Sequence, residues 1–158
     1  MMEDMALLER IESEIAVDGG LQRVLEWTIA ELGAESGSVH LLEADGVLHL
    51  HAASGLPQVV LDIVRLVPVG KGMAGLAVER AQPVTACNIQ SDASGDVRPG
   101  ARATGMEGAI VVPVLDGAGK AVGSLGVANR RERTFTADET ALLLEVGRRL
   151  AGLASQSA

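Results

Sequence analysis

The run AIVVPVLDGAGKAVGSLGVAN, Ala109 to Asn129, places two β-rich segments on either side of Asp116-Gly117-Ala118-Gly119. Extended segments joined by a short glycine-bearing turn make an antiparallel hairpin. SGSVHLLEADGVLHLHAAS repeats the arrangement around Ala44-Asp45-Gly46. Parallel strands would instead need a crossover of roughly a dozen residues or more between neighbours. At 158 residues the chain is the size of one domain with one core, 1–158, and its hairpins commit that core to an antiparallel sheet.

Helices are expected around the hairpins. Residues from Glu3 to Val17 carry Leu8, Ile11 and Ile15 at helical spacing, and Asp18 offers an N-cap to a second helix over Gly20 to Leu32. Leu56 to Leu66 reads as a short helix, Val67 to Val69 and Val84 to Cys87 as short strands, and Asn88 to Gly105 as a long polar loop. Thr136 and Glu139 have capping-box spacing for a final helix over 136–154, which carries Leu143, Val146, Leu150 and Leu153. The terminal apolar positions form narrow seams. We expect them to hold a homodimer through Leu8, Ile11, Ile15, Leu143, Val146, Leu150 and Leu153, with the 3–17 helix projecting as its dimerisation element.

Between the hairpins lies VGKGMAGLAVERAQPV, whose GKGMAG matches the dinucleotide fingerprint G-x-G-x-x-G, with Asp92 downstream at about the spacing of a ribose-binding acid. The context does not suit a nucleotide. A true fingerprint follows a full strand and opens a long helix inside a βαβ unit, whereas Met73 to Ala81 allows two turns before Pro83. Glycines that let the chain turn sharply into a short helix explain the motif.

Charge and composition narrow the partners. A formal charge of −8 disfavours a phosphate backbone, so no nucleic acid is expected. Trp27 and Phe135 are the only aromatics, which leaves little to stack on a base or flat cofactor. Cys87 is the single cysteine and excludes an intrachain disulfide or multi-cysteine zinc site. The acidic, amphipathic N-terminus lacks a signal-peptide pattern, and no apolar run is long enough to span a bilayer, so a cytoplasmic protein without membrane attachment is expected. His49 and His51 share one strand face and could meet His40 across the hairpin, although ordinary strand positions explain them as well. No metal or other cofactor is expected, and no nucleophile elbow, P-loop or H-E-x-x-H helix is present.

Taken in order, ASGLP, PVGKGMAGLAVERAQPV, SD with DVR, AIVVPVLDGAGKAVGSLGVAN and FTADE resemble a GAF domain over nearly the whole chain. The resemblance implies an α+β, GAF/PAS-like fold: a central antiparallel sheet, terminal helices on one face, and a ligand pocket roofed by short helices and loops on the other. It places that pocket between the Met73 to Ala81 helix, the sheet and the Asn88 to Met106 loop. There Asp96, Arg98 and Arg102 would supply charge, and Met73 and Met106 adaptable apolar surface.

Within the family, the free methionine-R-sulfoxide reductases carry thiols at positions that fall on Ala74 and near Arg102, so this chain lacks both. Cyclic-nucleotide binders carry an N-K…F-x-x-x-D-E signature that Asn129, Arg130, Phe135, Asp138 and Glu139 match only loosely. The expected function is a non-enzymatic sensory domain for a small anion or amino-acid-like metabolite, signalling through dimer helices to an output module or a partner kinase or regulator. The alternatives are a dimerisation module with a self-filled pocket, a cyclic-nucleotide binder and a diverged reductase.

Overall fold

The structure, a computed structural model, describes residues 2–157, and the side chains of residues 8–98 and 100–154. Positions 1 and 158 of the expected domain lie outside the described residues. The elements run α1 (Met2–Ile15), α2 (Gly20–Glu31), β1 (Ser36–Leu42), β2 (Val47–Ser54), α3 (Gln58–Val64), β3 (Leu66–Pro68), α4 (Gly72–Arg80), β4 (Val84–Ala86), a 3-10 turn (Pro99–Thr104), β5 (Gly108–Leu115), β6 (Ala121–Asn129) and α5 (Ala137–Ser157). The expected hairpins are β1–β2 and β5–β6, and every strand pairing is antiparallel, in the order β3-β2-β1-β6-β5-β4. The fold is the expected α+β arrangement. Part of the expected long loop is ordered as the 3-10 turn.

Period-two alternation gives the central strands two unlike faces. Val39 and Leu41 on β1, Leu125 on β6, and Ile110 and Val112 on β5 face α1, α2 and α5 and build the main core with Val24, Leu25, Ile29, Leu143 and Val146. The opposite face of the same strands carries Ser36, Ser38, Gly126, Ala128 and Ala109. One face is filled by large aliphatics, and the other is lined by side chains too small to fill the space above them.

The helix ends show which local signals decide. Thr136 and Glu139 form the expected box: the Glu139 N–H donates to Thr136 Oγ1 at 3.1 Å, and the Thr136 N–H to Glu139 Oε1 at 2.8 Å. Asp18, by contrast, does not cap α2. Gly19 takes that position at φ 76° with no side-chain cap, because Gly20 must sit against α1, where a Cβ would lie 1.7 Å from the Glu14 carbonyl oxygen. The Arg23–Glu14 ion pair closes the same α1–α2 corner.

The expected dimer seam turns inward. Ile11, Leu143 and Leu150 are fully buried within the single chain and Val146 nearly so, while Leu8, Ile15 and Leu153 pack partly buried against the same core. From Leu8 onward helix α1 packs on α2 and α5, where burying each large aliphatic contributes roughly 1.5–3 kcal/mol. Helical spacing identified the apolar stripe correctly, but the chain's own sheet and helices cover it.

Candidate functional site

The hollow face of the sheet floors a cavity of about 280 Å³. Ser36, Ser38 and His40 of β1, Gly126 and Ala128 of β6, and Ala109 and Val111 of β5 form the floor, with Met73 and Ala74 of α4, Ile89 and Met106 at the sides. Val60, Ile63 and Val64 of α3 meet Gly100, Ala101 and Thr104 of the 3-10 turn above it. The volume exists because, His40 and Val111 apart, these floor side chains are small. Restoring bulk there meets resistance: a Cβ at Gly126 would approach Val111 Cγ2 to 3.0 Å.

The glycine turn of GKGMAG delivers α4 to the cavity. Gly70 and Gly72 adopt φ of 90° and 67°, open to glycine at little cost. Gly75 serves close approach instead, since a Cβ there would lie 2.3 Å from the Pro68 carbonyl oxygen. The Gly70 N–H donates to the Gly75 carbonyl at 2.9 Å and locks the turn. No side chain caps α4, and its first residues, Gly72, Met73 and Ala74, line the cavity together with Lys71 and Arg98. The stem of Arg98 lies over Gly72, where a Cβ would meet its Cδ at 3.0 Å. Both cations are exposed, and neither takes part in the side-chain ion pairs formed among the described residues.

Of the expected site residues, Met73, Arg98 and Met106 line the cavity. Asp96 lies elsewhere, gripped by Arg80 through two 3.1 Å bonds. Arg102 points away from the lining and donates to the Asp92 carbonyl at 3.3 Å. Asp92 is occupied within its own loop, accepting from the Ser94 N–H at 2.9 Å and hydroxyl at 2.5 Å, and those bonds hold its carboxyl below the usual aspartate range.

Two polar floor features lie beyond the residues that the sequence assigns to the pocket: Ser36 and Ser38, and His40. Only the alternation of small with large residues along β1 could have indicated the serines. His40 is 3 % exposed, and its Nε2 lies 2.8 Å from the Val64 carbonyl oxygen of α3. Carbonyl oxygens only accept, so Nε2 carries the proton and donates. Burial pushes the His40 pKa down, outweighing that bond, so the ring is neutral and Nδ1 is an acceptor. Nδ1 is buried without a partner among the described residues.

The three imidazoles do not converge. His49 pairs with Leu41 on the helix-covered side of the hairpin, where His51 also lies, whereas His40 faces the cavity across a bulge between Val39 and His40. His49 and His51 pair instead with Asp45 and Glu43, at 2.8 and 2.9 Å.

Asn129, Phe135 and Glu139, three of the residues that loosely match the cyclic-nucleotide signature, join Arg133 in a clasp outside the cavity. Asn129 Nδ2 donates to the Gly33 carbonyl at 2.9 Å, and Arg133 donates to Asn129 Oδ1 and the Leu32 carbonyl, both at 2.7 Å, and to Glu139 at 2.5 Å. Phe135 stacks under the Arg133 guanidinium at 4.2 Å. These bonds tie the end of α2 to the end of β6 and the start of α5. Cys87 is exposed, and no helix among the described residues is long and apolar enough to cross a membrane.

Comparison with known proteins agrees with this architecture. The GAF domain of a phosphoenolpyruvate-protein phosphotransferase from Coxiella burnetii superimposes with a TM-score of 0.80 at 20% identity, covering 99% of this chain and 95% of that one. The corresponding Acinetobacter domain gives 0.77 at 21% identity, over 97% and 93%. A free methionine-R-sulfoxide reductase from Neisseria meningitidis, solved in complex with its substrate, gives 0.74 at 20% identity, over 98% and 89%. No curated protein matches the sequence. The family profile of the GAF domain matches residues 14–153, from the end of α1 through most of α5, and the chain accordingly belongs to the GAF domain family.

Proposed function

We propose that this GAF domain is a non-catalytic sensor that binds a small anion in the cavity between the sheet, α3, α4 and the 3-10 turn. One observation carries the reading: a cavity of about 280 Å³ with a largely aliphatic wall brings an uncapped helix start together with Lys71 and Arg98, two cations that form no side-chain ion pair among the described residues of an acidic chain. The volume is near the lower end of the roughly 300–1,000 Å³ typical of small-molecule sites. A helix N-terminus and a guanidinium both favour a carboxylate or phosphate. Among the described residues no aspartate or glutamate lines the cavity, so an ammonium group would find no counter-charge from them, which favours a simple anion over a zwitterionic amino acid. The open volume also speaks against a pocket filled by its own side chains.

The thiols speak against sulfoxide reduction. Ala74 occupies the cavity-lining position where the resemblance to the sulfoxide reductases calls for cysteine, and the one cysteine of the sequence is exposed Cys87. Thiolate attack followed by disulfide resolution needs a second thiol.

Occupancy would reach an output module through the sheet, because β1, β5 and β6 contact the cavity on one face and α5 on the other. A ligand shifts that packing only as far as it binds the two arrangements unequally.

Thermal-shift and calorimetric titration with acetate, hexanoate and inorganic phosphate tests the reading. At about 100 times Kd a bound anion stabilises by about 2.7 kcal/mol, and the double variant Lys71→Ala, Arg98→Ala should lose most of that gain. A wild-type protein indifferent to all three, or equal binding by the variant, would overturn it.

A further inference from the structure

Resting on the proposed anion site, the neutral polar groups of the cavity narrow its ligand further. On the floor, His40 offers a ligand nothing: its Nε2–H is spent on the Val64 carbonyl, and its Nδ1 is sealed beneath the surface. Ser36 is 1 % exposed. Ser38 differs. Its β1 neighbour Val39 is buried in the helix-side core, so strand alternation turns Ser38 to the cavity, where it is half-buried rather than sealed. Its lateral partners in the sheet, Ala53 on β2 and Gly126 on β6, carry no polar side chain, and its hydroxyl forms no hydrogen bond among the described residues. On the cover, the Thr104 hydroxyl already accepts from the Met106 N–H at 2.9 Å. Among the described residues, Ser38 is thus the uncommitted neutral polar group on the floor that an occupant of the cavity can reach.

We propose that Ser38 determines the specificity of this cavity, its hydroxyl bonding to a neutral oxygen that the ligand carries away from its anionic head. The ligand class is then an aliphatic keto or hydroxy monocarboxylate. A serine hydroxyl both donates and accepts, so it serves a ketone as well as an alcohol. The carboxylate stays with the Arg98 guanidinium, whose planar fork matches it, and with Lys71 and the start of α4. The aliphatic body lies against Val60, Met73 and Met106. A plain alkyl chain would strip water from the Ser38 hydroxyl and return no partner, and that unmade bond counts against binding. A second charge fits no better. Lys71 and Arg98, both exposed, are the cations lining the cavity among the described residues, and no described carboxylate lines it, so a second carboxylate or an ammonium at the floor would be buried unpaired.

The test measures butanoate, hexanoate and octanoate by calorimetry, each against its ω-hydroxy and penultimate-keto derivatives, on the full wild-type chain, Ser38→Ala and Ser38→Thr. At one chain length the oxygenated acids should bind the wild type about tenfold more tightly than their parent, the worth of one neutral hydrogen bond. In Ser38→Ala, which has no hydroxyl to satisfy, the parent should bind more tightly than it does to the wild type and the preference should disappear; Ser38→Thr should restore it. A readout independent of any variant is the infrared stretch of the ¹³C-labelled ketone, which in the wild-type complex should fall below its frequency in an apolar solvent. A wild type that prefers the parent acid at every length, an unshifted ketone, or a preference that survives in Ser38→Ala would overturn the role of Ser38 and leave the anion site standing. If none of the acids binds while inorganic phosphate does, this inference alone falls; if phosphate fails as well, the anion site falls with it.

Discussion

Arg133 donates to the Glu139 carboxylate at 2.5 Å, across the junction where β6 hands the chain to α5. Burial alone would raise the Glu139 pKa, but the Thr136 N–H and the Arg133 guanidinium outweigh it and hold the group below the usual glutamate range. A carboxyl depressed in the folded state contributes stability that is fully present above its unfolded pKa and is lost as pH falls through the folded value. Glu139→Gln should therefore flatten the acid limb of the stability curve, read by urea unfolding from neutral pH downward. Arg133→Met should cost about 2–3 kcal/mol at neutral pH, because it also strands Asn129 and the Leu32 carbonyl. Parallel acid limbs for wild type and Glu139→Gln would refute the assignment.

Two glycine-to-alanine changes should have opposite signs. Gly75→Ala drives a Cβ into the Pro68 carbonyl and should destabilise by about 2 kcal/mol or more, loosening the start of α4. Gly152→Ala places a methyl in open space inside α5 and should gain up to about 1 kcal/mol from helix propensity. Denaturant midpoints decide both.

Ala81 closes α4 at φ 53°, the one non-glycine residue with positive φ among those described. Left-handed backbone costs an L-residue about 1 kcal/mol or more, so Ala81→Gly should raise the melting temperature by a few degrees. A lowered melting temperature would show that chain entropy outweighs the strain.

Ile11→Glu and Leu150→Glu should unfold the chain. Both side chains are fully buried in the single-chain core, where an unpaired carboxylate costs on the order of 3–5 kcal/mol. Circular dichroism with light scattering separates the possibilities: a folded, well-packed monomer from either variant would return these residues to a surface between chains.

Ser38→Leu should fill the cavity from its floor. The expected result is a protein folded like the wild type whose melting temperature no longer responds to hexanoate or phosphate. A preserved response would move the binding site elsewhere.

What the sequence made legible was local in every case. The β1–β2 and β5–β6 hairpins, the Thr136–Glu139 box and the Gly70–Gly75 turn each depend on residues close in the chain, and each is found as read. What escaped reading depended on remote partners. Asp18 lost the α2 cap because α1 packs so closely on Gly20, and Asp96 is taken by Arg80, sixteen residues earlier. His40 meets Val64 from another element. The terminal seams show the same limit, because periodicity names an apolar face without naming what covers it. At the cavity, Met73, Arg98 and Met106 were legible through the resemblance to a GAF domain, whereas the floor became visible only once strand register set Ser38 against Gly126.

The alternation of small and large residues along β1, β5 and β6 also divides the protein's capacity for change. Substitutions at the small positions resize or repolarise the chamber while leaving untouched the aliphatics that knit the sheet to its helices. Selectivity and folding are thus inherited through alternate letters of the same three strands, and a descendant of this sequence can acquire a new chemical preference without renegotiating its architecture.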